Sequence, residues 1–204
     1  MHNLYCIVGQ SGSGKSTIAD KLESEYGIKQ VLSYTTRKPR YEGENTHEFI
    51  TDAEFDKLTD MVAFTEFDGY KYCATAEKLN GCDTYIIDPK GVDTLRMNYT
   101  DKPLKIIYVK VIAGIRYERM KKRQLKNKGD FEQCVMGALE RIGHDAHEFY
   151  WYEHGLFHID FTIRNEGEID DAVRKVYEYI QEEESRAEEE TNNQVGDSNN
   201  GVSV

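Results

Sequence analysis

The sequence predicts an α/β fold: a parallel sheet with helices on both faces, an inserted small mixed lobe and a helical lid. Three observations carry that expectation. Short apolar runs alternate with helix-period segments along most of the chain, the pattern of parallel strands joined by crossover helices. The first run, Leu4–Val8, leads directly into the glycine-rich stretch Gly9-Gln10-Ser11-Gly12-Ser13-Gly14-Lys15-Ser16. The alternation then breaks between about residues 34 and 80, where polar turns and a hairpin signal replace it.

Taken in order, Leu4–Val8 is apolar throughout, as a strand covered on both faces must be. The loop after it fits G-x-x-x-x-G-K-[ST], the phosphate-binding loop or P-loop, in the strand–loop–helix setting that the motif requires. Its glycines let successive backbone N–H groups from Gly9 through Thr17 turn toward phosphate oxygens. The helix start behind them adds partial positive charge. Lys15 reaches the outer phosphates and Ser16 is the Mg²⁺ ligand of such a loop. The motif implies a bound nucleoside triphosphate. A helix follows from about Ser16 to Tyr26, with Ile18, Leu22 and Tyr26 at helical spacing and Gly27 as its stop.

Gln30–Ser33 reads as a short strand, and 34–50 as polar and turn-rich. Thr51-Asp52-Ala53-Glu54 is a capping box opening a short helix to about Asp60. Val62–Phe67 and Tyr70–Ala74 are strands flanking Asp68-Gly69, a hairpin turn. Thr84–Asp88 and Leu104–Val109 return to the buried-strand pattern. A charged helix from Ala113 to about Lys128, a second over 131–150, a strand at Phe161–Ile163 and a helix from Glu168 to about Glu184 complete the series. The organisation expected is one unit over 1–180: a core of 1–33 and 81–180, a lobe at about 34–80 and a lid at about 114–150. Residues 181–204 form an acidic, polar tail with a disordered end.

Composition sets limits. Of the net charge of −11, the residues from Gln181 onward hold −6, so the body is only mildly acidic. No run is long enough to span a bilayer, and polar residues from Gln10 interrupt any secretory leader pattern. The four cysteines form no C-x-x-C pair, so neither a zinc site nor a disulfide framework is indicated. A reduced, cytoplasmic protein without membrane or nucleic-acid partners is expected, a monomer or weak homodimer.

Against this acidic background, residues 116–128 hold seven bases and one acid. Arg116, Arg119 and Arg123 share one helical face. Moving a phosphoryl group between two phosphate-bearing substrates requires neutralised charge and excluded water, which an arginine-bearing lid supplies. The histidines His144, His147 and His154 read as surface or helix packing, because no cysteine or paired carboxylate completes a metal-ligand set.

Ser33-Tyr34-Thr35-Thr36-Arg37-Lys38-Pro39-Arg40 places two arginines three apart in a proline-stiffened turn, a pattern suited to a compact phosphate dianion. It resembles the guanylate kinase family, whose S-x-T-T-R-x-P-R it matches at every fixed position. The P-loop stands at the family's distance upstream, and the resemblance covers about residues 4–180. On that resemblance, Phe64-Thr65-Glu66-Phe67 corresponds to the strand whose glutamate reads guanine. A carboxylate there accepts from both donors on the guanine edge. Tyr70–Thr75 resembles Y-Y-G-[ST]-[ST], making Tyr72 and Thr75 acceptor ligands with Ser33, Arg37 and Arg40. Tyr85–Gly91 resembles h-h-D-h-x-x-G, so Asp88 holds the outer Mg²⁺ shell, orients Lys15 or touches the acceptor.

Arg119 and Arg123 correspond to the early lid pair. Arg141, with Glu148, resembles the late-lid R-x-x-x-A-x-x-E, and Asn165 fits the adenine-side loop. Lys15, Arg40, Arg123 and Arg141 are the catalytic candidates. The implied reaction is direct in-line transfer from ATP to GMP or dGMP. A related kinase with another phosphorylated acceptor and a non-catalytic binding module are the alternatives. The chain departs from the pattern in several places. His47 stands where the family's D-Y-x-F has its tyrosine, and the loop from Arg40 is two residues shorter. Ala74 replaces a common hydroxyl, although Thr75 keeps one. The usual R-G-T does not follow Arg123.

Overall fold

The computed structural model describes residues 1–39, 42–67, 69–126 and 130–199, without the side chains of Phe67 and 194–199. Arg40 and Asp68 therefore lie outside the described residues. Strands β1 (Leu4–Val8), β6 (Thr84–Ile86), β7 (Leu104–Lys110) and β8 (Phe161–Arg164) form a parallel sheet in the order β6-β1-β7-β8. Residues on β1 alternate between two apolar layers, as a strand's two-residue period dictates. Leu4, Cys6 and Val8 pack with Val92, Leu95 and Tyr99 of α4 (Pro89–Asn98). Tyr5 and Ile7 pack with Ile18 and Leu22 of α1 (Lys15–Tyr26), and with Val173, Val176 and Ile180 of α8 (Ile169–Asn199).

Helix α1 ends where the glycine signal places it. Gly27 adopts φ +71°, its N–H reaching Glu23 O, and Ile28 N–H reaches Leu22 O at 3.1 Å. The second sheet, the lobe, runs β3-β2-β5-β4, with β2 (Tyr34–Thr35), β3 (Glu48–Phe49), β4 (Met61–Phe67) and β5 (Tyr70–Thr75). The capping box at Thr51 forms with both of its hydrogen bonds and opens α2 (Asp52–Phe55). The arginine-rich α5 (Ala113–Lys126) packs on α6 (Phe131–Glu148), with α7 (Tyr150–Glu153) after it.

Three expectations change. Gln30–Ser33 contributes only one bridge, Gln30 to Thr84, and the lobe strand begins at Tyr34. Periodicity over so short a polar run does not separate a strand from an extended connector. Second, α3 (Ala76–Asn80) and α4 form where no helix is expected, started by the side-chain caps Thr75 and Asp88. Third, no element boundary falls at 181: α8 continues through Asn199. Glu184 accepts hydrogen bonds from His2 N, Asn3 N, Asn3 Nδ2 and Tyr5 Oη at 2.5–3.1 Å. Part of the acidic run thus anchors β1 instead of standing in solvent. Among the described residues, no helix is long and apolar enough to cross a membrane.

Candidate active site

The P-loop joins β1 to α1, and its shape depends on glycine at two points. Gly14 caps α1 at φ +96° with no side-chain cap, leaving the helix's first amides available to an anion. A Cβ there would sit 2.4 Å from Asn165 Nδ2; at Gly12 (φ +76°) it would sit 2.8 Å from Arg116 O. Residues from elsewhere in the fold brace the loop at these places. Asn165, buried after β8, donates Nδ2 to Ser13 O at 2.8 Å. Arg119 donates to Gly12 O and Ser13 O at 3.4 Å, and to Asn165 O at 2.9 Å.

Lys15 folds back and donates to Gly9 O, and at 3.3 Å to Gln10 O. Loss of hydration pushes its ammonium down to about 8. Asp145 opposes that shift, while Arg141, Arg123 and Arg116 add to it. Three guanidinium groups therefore act on the loop lysine. Arg141 donates Nε to Ser11 Oγ at 2.8 Å. Arg116 and Asp145, both on the lid helices and both buried, form an ion pair at 3.0 Å. Arg116 also reaches Ser11 O at 3.3 Å.

Asp145 completes this cluster and is absent from the sequence reading. It accepts from Ser11 N at 2.7 Å and from Ser11 Oγ at 3.1 Å. The R-x-x-x-A-x-x-E pattern that begins at Arg141 has alanine at this position. That mismatch, together with Arg116 on the face of Arg119 and Arg123, was the available signal.

The acceptor candidates divide into two groups. Arg37 is buried, with its guanidinium paired to Glu44 at 2.9 and 3.2 Å and lying over the Phe49 ring. It also interacts with the Tyr72 hydroxyl. Ser33 Oγ lies 3.0 Å from His47 Nδ1, and the His47 ring meets Tyr72 edge-on at 5.6 Å. Ser33, Arg37, His47 and Tyr72 thus share one face of the lobe.

Glu66 does not join them. Tyr72 pairs with Thr35 and Thr65, whereas Glu66 pairs with Lys71, one residue along each strand. Adjacent strand residues point to opposite faces, so Glu66 projects on the face where Lys71 meets Asp56 at 2.8 Å. The period of 2 was readable in the sequence, but the pairing register that fixes the face was not. Thr75 accepts from Lys78 N and caps α3. Asp88 Oδ1 accepts from Gly91 N at 2.8 Å and caps α4. Both residues have structural work that the sequence did not reveal.

Burial, and then the Asp88 charge, hold the Glu148 carboxyl above the ordinary range. His144, Asp145 and Glu148 bring possible metal-ligating atoms within 4.8 Å of one another. Both Asp145 oxygens are engaged by Ser11 and Arg116, which argues against that trio as a metal site. Ser16, exposed on the first turn of α1, and Asp88 offer the hard oxygen donors that Mg²⁺ takes, beside a glycine cradle that a Cβ would fill.

Comparison with known proteins bears on the fold. A family model described as an AAA domain matches residues 6–140. The chain is 34% identical over 107 residues to a guanylate kinase of Neisseria meningitidis serogroup A, covering 46% of this chain and 52% of that one. It is 26% identical over 177 residues to a guanylate kinase of Neisseria gonorrhoeae, covering 80% of each. The chain belongs to the family that the AAA-domain model describes, and the relatives it resembles are guanylate kinases. The matched part thus spans about half of the first of these guanylate kinases and four fifths of the second. The structure of the guanylate kinase from Anaplasma phagocytophilum superposes with a TM-score of 0.56 at 20% identity, covering 89% of this chain and 85% of that one. That likeness extends the shared fold to the lobe and lid.

Proposed function

We propose that the chain transfers the γ-phosphoryl group of ATP to a nucleoside monophosphate, with GMP or dGMP as the first candidates, giving ADP and the nucleoside diphosphate. The observation that carries this reading is that three arginines of α5 and α6 contact the P-loop around Lys15: Arg116 at Ser11 O, Arg119 at Gly12 O and Ser13 O, and Arg141 at Ser11 Oγ. In the separate lobe Arg37, held by Glu44, lies with Ser33, His47 and Tyr72 on one face, a set of donors suited to a second anion. Two separate anion sites suit transfer between two phosphates.

In the reaction, an oxygen of the acceptor phosphate attacks the γ-phosphorus in line with the bridging oxygen to the β-phosphate. One P–O bond forms as the other breaks, and the electron pair leaves with ADP. The acceptor attacks as an anion, so no general base is required. Lys15 and the lid arginines offset the negative charge spread over the transferring group. Arg37, with Ser33, His47 and Tyr72, aligns the acceptor phosphate. Ser16, with Asp88 in the outer shell, would hold Mg²⁺, which neutralises charge on the donor's phosphates when bound. Asn165 and Arg119 keep the P-loop in shape.

One observation favours a second reading, a related kinase with a different phosphorylated acceptor. Glu66 lies on the face away from Tyr72, so β4 brings no carboxylate to the acceptor face at that position. A coupled assay of ADP formation over a panel of nucleoside monophosphates and ribose bisphosphate decides between the two. Selective turnover of GMP or dGMP supports the first reading. Preference for another acceptor supports the second. No stimulation by any acceptor removes both and leaves a binding module.

A further inference from the structure

Asp145 is a buried charge at an inward position. The buried residues of α6 are Cys134, Ala138 and Asp145, spaced four and seven apart on one helical face. The first two are small and apolar, as a helix–helix seam requires. Asp145 instead carries a carboxylate to the mouth of the P-loop. Its partners there are a loop backbone N–H, a loop hydroxyl and a guanidinium: Ser11 N at 2.7 Å, Ser11 Oγ at 3.1 Å and Arg116 Nη1 at 3.0 Å. Arg141 Nε stands on the far side of the same hydroxyl at 2.8 Å. Backbone amides of a helix-start loop combined with arginine forks are the donors that recognise phosphate oxygens. A carboxylate has the same charge sign and acceptor geometry.

We propose that Asp145 stands in for a phosphate oxygen at the P-loop and sets donor affinity, because the triphosphate must displace it to reach Ser11 and Arg116. This rests on the reading of the loop as the donor site. Two anions cannot share one set of donors without repulsion, and Ser11 has a single backbone proton to give. When the donor binds, its terminal phosphate takes Ser11 N–H and Arg116, and Asp145 withdraws. Asp145 thus acts against the donor and fastens the lid to the loop through its own charge. Were it a brace that aims Arg116 and Ser11 at the donor, removing its charge would weaken binding. The two roles predict opposite signs.

The test is equilibrium binding of inorganic tripolyphosphate and of ATP to the full chain, followed calorimetrically, for the natural protein and Asp145→Asn. The expected result is a Kd lower by about tenfold in the variant for both ligands. An unchanged or higher Kd in the variant, with the natural protein binding normally, overturns the proposal and leaves the donor-site reading intact. Failure of both proteins to bind either ligand overturns both. Asp145→Asn leaves Arg116 without its counter-charge and can cost folding. Arg116→Met/Asp145→Asn avoids that orphan. It is expected to bind tripolyphosphate about tenfold more tightly than Arg116→Met alone, and equal affinity of the two overturns the proposal.

Discussion

The Glu44 carboxylate meets the Arg37 guanidinium through two hydrogen bonds, 2.9 and 3.2 Å long, with both side chains buried in the lobe. The pair fixes the guanidinium plane over Phe49 and holds it beside Tyr72. Thr46 Oγ1 donates to the same carboxylate at 2.9 Å. Glu44→Gln keeps the shape and removes the charge. Acceptor KM is expected to rise about tenfold with a smaller change in kcat, and stability to fall by about 3 kcal/mol as a buried pair is broken. Steady-state kinetics with the acceptor varied, together with urea unfolding, check both parts.

The depressed Lys15 ammonium gives the donor site a pH dependence with a definite sign. In the protein alone it titrates near 8. Donor phosphates favour the charged form and raise that value. Below about 8 the lysine is already protonated, and binding needs no proton. Above it, binding must take one up, so ATP affinity is expected to fall by up to about tenfold per pH unit. Calorimetry in two buffers of different ionisation enthalpy reports the proton directly. Affinity constant to pH 9.5, counted as about 1.5 units above the transition, contradicts this.

Glu66 and Tyr72 separate the two faces of the lobe. Glu66→Ala is expected to leave kcat/KM for GMP within about twofold, as an exposed residue away from the acceptor cluster should. Tyr72→Phe removes a hydroxyl that interacts with Arg37, and acceptor KM is expected to rise about fivefold. Collapse of guanine preference in Glu66→Ala would reverse the assignment of faces.

Helix α8 closes the sheet through Glu184. Burial opposes ionisation of this carboxylate, but the bonds from His2 N, Asn3 Nδ2, Tyr5 and Asn3 N hold it below the ordinary range. Its contribution is therefore present at neutral pH and is lost as pH falls through the carboxylate range. Glu184→Ala is expected to cost about 2–4 kcal/mol by leaving buried donors unpaired. Ending the chain after Glu190 is expected to leave Tm unchanged, whereas ending it after Ile180 lowers Tm. Thermal unfolding of the three proteins checks the distinction.

Much of this was legible in the sequence. The apolar run Leu4–Val8, the glycine pattern and Gly27 specify strand, loop and helix through local rules, and each appears as those rules require. The lid helices follow from charge and periodicity, and the two-sheet division from the broken alternation. What was missed depends on register or on partners distant in the chain. Glu66 changes face with a one-residue shift in pairing. Asp145 gains its role only because α6 lies across Ser11, 134 residues away. Thr75 and Asp88 also cap helices that the sequence pattern did not announce. The acidic run suggested a solvated tail, but Glu184 accepts from buried donors at the start of the chain.

The central claim is that the P-loop and the Arg37 lobe hold two phosphates between which a phosphoryl group moves. The most direct measurement mixes the protein with ATP, Mg²⁺ and GMP and quantifies ADP and GDP together by anion-exchange chromatography. Equal formation of the two, abolished by Lys15→Met, is the predicted result. ADP appearing without GDP or any other phosphorylated acceptor, or no nucleotide conversion with any monophosphate tried, would contradict it.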